Sequence, residues 1–191
     1  PSLHGFLLRV LIWLPICFAI WYFASILFVI PLTGLVDVAL TQTFPAVVSA
    51  VARDGNAVVI ITNVAVDAGG RVGELLFEIN PLKYGYCVPV YTALVLATPD
   101  TEAGDNHALF RWVVGMLLLT AAQVFGVAAE ALKIIAFQLN DEASALLGLS
   151  AWGQEALALA YQFGFLVLPP VAPILIWVVQ FQSTLVALTG W

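Results

Sequence analysis

Long uncharged apolar runs separated by short polar stretches set the element pattern of this chain. No charge occurs between Arg9 and Asp37. The run LIWLPICFAIWYFASILFVI within that interval is long enough to cross a hydrocarbon core of ~30 Å as a helix. Pro15 is expected to kink this first span rather than break it, since neighbouring helices re-satisfy the freed carbonyl, and Pro31 to mark its end. Trp13, Trp21 and Tyr22 suit packing or a membrane interface. Residues 32–53 carry apolar positions at roughly helical spacing, with Asp37, Thr41 and Gln42 between them. They read as an interfacial or short amphipathic helix interrupted at Pro45.

The pattern changes over residues 56–80. NAVVIITNVAVD is rich in β-branched residues, and VGELLFEIN alternates, with Leu75, Phe77 and Ile79 on one face and Glu74, Leu76 and Glu78 on the other. Joined by Ala68-Gly69-Gly70-Arg71, the two runs predict a β-hairpin. Open strand edges are not tolerated in lipid. The hairpin, an insertion over residues 54–80, is therefore placed in water on top of the helices.

A second span, PLKYGYCVPVYTALVLATP, starts at Asn80-Pro81, where proline suits a helix start. It ends at Pro99-Asp100, before the polar loop DTEAGDNH. A third runs from about Leu109 to Leu139, with an uncharged centre between Arg111 and Glu130. After the polar link NDEASALLGLSAWGQE, Ser150 is the expected N-cap of a last helix. That helix has no charge after Glu155 and is bent by Pro169, Pro170 and Pro173. No repeat at a solenoid period is present. The predicted fold class is an all-α polytopic membrane bundle of about four transmembrane helices, one membrane domain over residues 1–191, with a small extracytoplasmic β-hairpin.

Composition supports this solvent assignment. The chain is 62% hydrophobic and 9% charged, with a mean hydropathy of +1.03. Soluble domains carry about a quarter charged residues, so these charges are too few to coat a water-facing surface, and membrane lipid is the partner of the bundle. Six Lys and Arg stand against twelve Asp and Glu. That balance argues against nucleic acid, which needs a basic patch, and no polybasic run addresses anionic lipid. The first apolar run is too long for a signal-peptide core and reads as a retained helix. Arg9 and Arg111 flank spans one and three and belong on one side, assigned to the cytoplasm together with both termini. The hairpin, Lys83, Glu130, Lys133 and Glu155 then gather on the outer side.

Candidate chemistry concentrates at that outer end. Cys87 follows Lys83 by four residues, so both lie on one helix face, and a nearby ammonium favours thiolate. The simpler reading is a small buried thiol and a snorkelling lysine. Glu130 and Lys133 are three residues apart within span three. Ionisable groups there are usually paired or functional, and a mutual salt bridge is the plain alternative. Gln123 lies two turns before Glu130. With Tyr84, Tyr86, Gln154, Glu155, Tyr161 and Gln162 it outlines one polar pocket beneath the hairpin, or else interhelical hydrogen-bond glue. Ala122 and Gly126 form a small-xxx-small pair that favours close helix contact. Cys17 reads as a small core hydrophobe, and two cysteines make no disulfide framework. His4 and His107 lack ligand spacing, so no metal is expected. No Walker loop, dinucleotide fingerprint, HExxH or GxSxG occurs, and no cofactor is expected.

The segments FLLRVLIWLPICFAIWY, FEINPLKYGYCVPVYTALVLATP and RWVVGMLLLTAAQVFGVAAEALKIIAFQL resemble the exosortase H-associated membrane proteins of Gram-negative bacteria. The similarity extends from the first span to the last. It implies an inner-membrane protein that accompanies an exosortase, which processes proteins bearing a C-terminal sorting tail. The chain also resembles, more distantly, the exosortase core, a cysteine transpeptidase or protease built from a Cys box, an N-x-x-R box and a later His. Cys87 falls near the first box, and Glu130-Ala-Leu-Lys133 occupies the place of the second. No His follows Leu139. The general base is therefore absent from its expected place, and lysine supplies a point charge where the family has a forked guanidinium.

Three functions follow as expectations. The first is a non-catalytic accessory protein that binds the exosortase or its sorting-tail substrate. The second is a degenerate membrane cysteine peptidase or transpeptidase that uses Cys87, aided by Lys133 and Lys83. The third is a small transporter, for which the few intramembrane charges offer little lining.

Overall fold

The computed structural model describes residues 2–67, 72–99 and 105–189. The predicted hairpin turn Ala68–Arg71 and most of the DTEAGD loop lie outside the described residues.

Helix α1 (Leu3–Phe23) is capped by Ser2, whose side chain accepts from the Gly5 N–H, and it runs through Pro15. Helix α2 (Ser25–Thr43) follows after Ala24 alone. The Ala24 N–H still bonds to the Ile20 carbonyl at 2.9 Å, and the Leu27 N–H to the Ala24 carbonyl at 2.9 Å. The two helices touch little beyond this joint, so the chain bends here without folding back. Pro31 therefore does not end the helix, contrary to expectation. It lies inside α2; proline is accepted within membrane helices where neighbouring groups re-satisfy the carbonyl it frees.

The amphipathic helix expected over 32–53 is likewise corrected. Its first half is the rest of α2, and its second half is strand β1 (Val48–Asp54). β1 pairs antiparallel with β2 (Ala57–Asp67) through a two-residue turn led by Gly55 at φ 55°, a position where glycine suits tight hairpins. β2 pairs antiparallel with β3 (Val72–Ile79), completing a sheet of order β1-β2-β3. The expected alternation in β3 is observed: Leu75, Phe77 and Ile79 face inward, while Glu74, Leu76 and Glu78 are exposed.

Beyond the sheet come a single turn, α3 (Leu82–Gly85), and α4 (Cys87–Ala97). Helix α5 (Asp105–Ile134) ends in a π-helical segment, Ile135–Leu139. Asn140 caps α6 (Asp141–Leu147), and Ser150 caps α7 (Ala151–Gln162) as its position predicts. A second π-helical segment, Phe163–Val167, joins α7 to α8 (Leu168–Gln180), and α9 (Gln182–Thr189) closes the described chain.

Four helical stretches are long and apolar enough to cross a membrane: Leu3–Phe23, Ser25–Thr43, His107–Leu139 and Ala151–Gln180. The stretch Leu82–Ala97 is apolar but shorter. Their outward faces are apolar, as at Leu11, Phe23, Leu117 and Leu166, the surface that lipid requires.

Two clusters hold the molecule together. One joins α2 and the sheet to α5 through Leu32, Val36, Leu40, Val48, Val58, Ile60, Ile79, Val127 and Ala131. The other joins α1, α4, α5 and α8 through Phe6, Trp21, Cys87, Tyr91, Leu119 and Trp177. Aliphatic side chains buried in this way contribute roughly 1.5–3 kcal/mol each. The apolar stripe Leu32, Val36, Leu40 recurs at helical spacing, so one face of α2 lies against the sheet.

Candidate functional site

The site begins where β3 becomes helix. Asn80 Oδ1 accepts from the Leu82 N–H at 3.0 Å, and the Tyr84 N–H bonds to the Pro81 carbonyl at 2.9 Å. This tight turn swings Lys83 and Tyr84 toward α5. Their common target is Glu130. Tyr84 Oη donates to Glu130 Oε2 at 2.8 Å, and the Lys83 ammonium forms an ion pair with Oε1. Both carboxylate oxygens are therefore occupied. Glu130 is 7% exposed, and a buried carboxylate without such partners would be strongly disfavoured.

Glycines make room for this arrangement. A Cβ added at Gly126 would lie 2.6 Å from the Tyr84 ring, and one at Gly164 would lie 3.1 Å from the Gly126 Cα. The Tyr84 ring thus wedges beside a point where α5 and the second π-helical segment meet through glycine. Phe165, from that segment, meets the Tyr84 ring edge-on at 6.0 Å and stacks on Tyr161 at 5.8 Å with planes 7° apart. The Lys83 ammonium lies 5.7 Å from the Phe165 ring centre, and the Lys133 ammonium 4.6 Å from that of Tyr161. A continuous run results: Lys133, Tyr161, Phe165, Lys83, Glu130, Tyr84. Its aromatic faces suit the cations.

The pairing differs from the sequence expectation in one respect. Among the described residues Glu130 pairs across helices with Lys83, not with Lys133 along its own helix. Lys133 turns to the Tyr161 ring instead.

Cys87 opens α4 rather than sharing a helix with Lys83, and its thiol donates to the Tyr84 carbonyl at 3.2 Å. It is 1% exposed. The gap between Cys87, Tyr84, Ala122, Gln123, Leu168 and Pro169 leaves no room for a water. The buried Gln123 donates from Nε2 to the Leu119 carbonyl at 3.3 Å. Tyr86 is half-buried and Gln154 is half-buried two turns before Tyr161. Glu155 and Gln162 are exposed. Glu155 precedes Tyr161 by six residues, which places it on a different helix face.

A second polar knot stands at the other end of the bundle. Tyr91 Oη lies 2.6 Å from Gln180 Oε1 and 2.9 Å from the Arg111 carbonyl, to which Gln180 Nε2 donates at 3.0 Å. The Arg111 guanidinium lies over Phe181 at 5.1 Å. The sequence alone does not single out Gln180, Tyr91, Phe165 or Gly164. A glutamine and a tyrosine inside otherwise apolar runs were the signal for the first two. For the others only the contact itself reveals the role. Among the described residues no group of three or more His, Cys, Asp or Glu could hold a metal ion.

These features define an α-helical membrane protein in which helix-borne polar groups converge on one carboxylate near a small three-stranded sheet. Residues 1–184 match the family model described as exosortase H-associated membrane protein. The chain belongs to that family. No curated protein and no solved structure matches it.

Proposed function

We propose that this exosortase-associated membrane protein is a non-catalytic accessory subunit of the sorting system. In this reading it lies in the bacterial inner membrane with both termini cytoplasmic, and binds the exosortase or its sorting-tail substrate. The sheet and the Lys83–Glu130 end then face the extracytoplasmic side.

The observation that carries this reading is the closed state of the polar end. Both oxygens of Glu130 are engaged by Lys83 and Tyr84, and Cys87 is sealed among side chains. A catalytic thiolate needs a base or cation within reach and a path for substrate. A saturated, buried arrangement instead fixes the geometry of the turn that carries the sheet. The apolar outward faces of the helices supply surface for packing beside another membrane protein.

The test is affinity purification of the tagged chain from native-host membranes in mild detergent. The exosortase is expected to co-purify. Its consistent absence, with the tagged chain recovered intact, would overturn the proposal.

A further inference from the structure

The three-stranded sheet has two edges of different character. On the β1 side α2 packs along the strand, and the Val51 N–H donates to Asp37 Oδ1 at 2.7 Å. That bond fixes the phase of the sheet. Val51 turns its backbone away from β2, so its partner Ile60 turns its own toward β3. Phe77, opposite Ile60, is then bonded inward, while Leu76 and Glu78 direct their N–H and C=O groups away from the sheet. Thr62 Oγ1 donates to the Leu75 carbonyl at 2.7 Å, in keeping with the same phase. Among the described residues β3 has no strand on its outer side.

The side chains distinguish the edges as well. Val58 and Ile60 of β2 are fully buried, but Leu75 and Phe77, on the same face of β3, are only half-buried. Cover is thus incomplete along the β3 edge. On the opposite face Glu74, Leu76 and Glu78 are exposed, and Leu76 keeps 58% of its surface.

We propose that the β3 edge receives an extended segment of a partner protein as a fourth strand, apolar on one face and basic on the other. The apolar side chains cover Leu75 and Phe77. The basic ones lie beside Glu74 and Glu78, and the backbone of the segment bonds to Leu76 and Glu78. A second copy of this chain fits poorly, because β3 against β3 sets carboxylates on one face against carboxylates. The proposal rests on the accessory reading only in treating the sheet as an interaction surface, and it does not require that the exosortase supply the strand.

The test uses the full chain in detergent micelles and a fluorescent peptide alternating lysine and valine. Binding is expected for the unaltered chain, and its absence would overturn the proposal. Leu76→Pro deletes an outward N–H without deleting a bond to β2. It is expected to weaken binding about tenfold, the effect of losing one backbone bond; unchanged affinity would overturn the edge assignment. The doubly substituted Glu74→Lys, Glu78→Lys chain alters only exposed charges. It is expected to switch preference to a peptide alternating glutamate and valine, and a retained preference for the lysine peptide would overturn the proposed chemistry. The peptide assay contains no exosortase, so its failure leaves co-purification from native membranes unaffected, and the reverse also holds.

Discussion

At Glu130 each carboxylate oxygen meets a different partner, the Lys83 ammonium and the Tyr84 hydroxyl. Lys83 keeps 33% of its side-chain surface, so water screens part of the attraction. Glu130→Gln removes the ion pair and leaves one oxygen to serve the tyrosine. The expected loss is about 1–2 kcal/mol, read as unfolding at lower denaturant in micelles; unaltered resistance would show that the pair does not support this end. The sequence made Glu130 conspicuous, since a carboxylate inside an apolar helix needs a partner. It did not show which partner. The nearest cation in sequence, Lys133, lies on the same helix, whereas Lys83 arrives only through the turn after β3. Sequence proximity groups Glu155 with the pocket, but its helix phase exposes it.

Between elements, the meeting of α5 and the second π-helical segment depends on absent side chains. A Cβ at Gly126 would lie 2.6 Å from the Tyr84 ring and 3.3 Å from the Gly164 carbonyl, so Gly126→Ala forces the ring to move. A loss of about 1–3 kcal/mol is expected from such overpacking, with weaker protection of the Tyr84 turn in hydrogen exchange. Wild-type stability in this variant would contradict the wedge. The Ala122/Gly126 spacing had marked this face, but its partner Gly164 is not evident without the fold. At the β1 edge, Asp37→Ala takes the acceptor from the Val51 N–H. Amide exchange at Val51 is expected to quicken about fivefold, matching a lost bond of about 1 kcal/mol; an unchanged rate would mean that packing against α2 suffices. β1 escaped sequence reading because Ala50 and Ala52 among valines give no strict alternation, and a helical period fits the same letters. Pro31 is a weaker helix terminator than the sequence suggests, because in a membrane bundle neighbouring groups can take up the carbonyl that proline frees.

For the whole molecule, the membrane assignment was the most legible feature, because it follows from charge scarcity and run length alone. The β2–β3 hairpin was legible from alternation. The set of spanning helices was less so: α2 proved long and apolar enough to cross, while the stretch from Leu82 to Ala97 is short. Two polar knots mark the bundle, one at Glu130 and one at Gln180, with the buried Gln123 lying between their levels on α5. A scaffold built in this way orients the sheet at one end and offers lipid-facing helices along its sides. That arrangement is in keeping with the accessory role proposed above.

Complementation of a deletion strain in the native host with the Cys87→Ala chain separates a sealed, structural thiol from a catalytic one. Cys87 is 1% exposed and its loss removes one sulfur from a packed wall. For the proposed accessory subunit, sorting-tail processing and exosortase co-purification are both expected to persist near wild-type levels. Processing abolished by Cys87→Ala, in a chain that still inserts and still co-purifies, would contradict it and assign the thiol to catalysis.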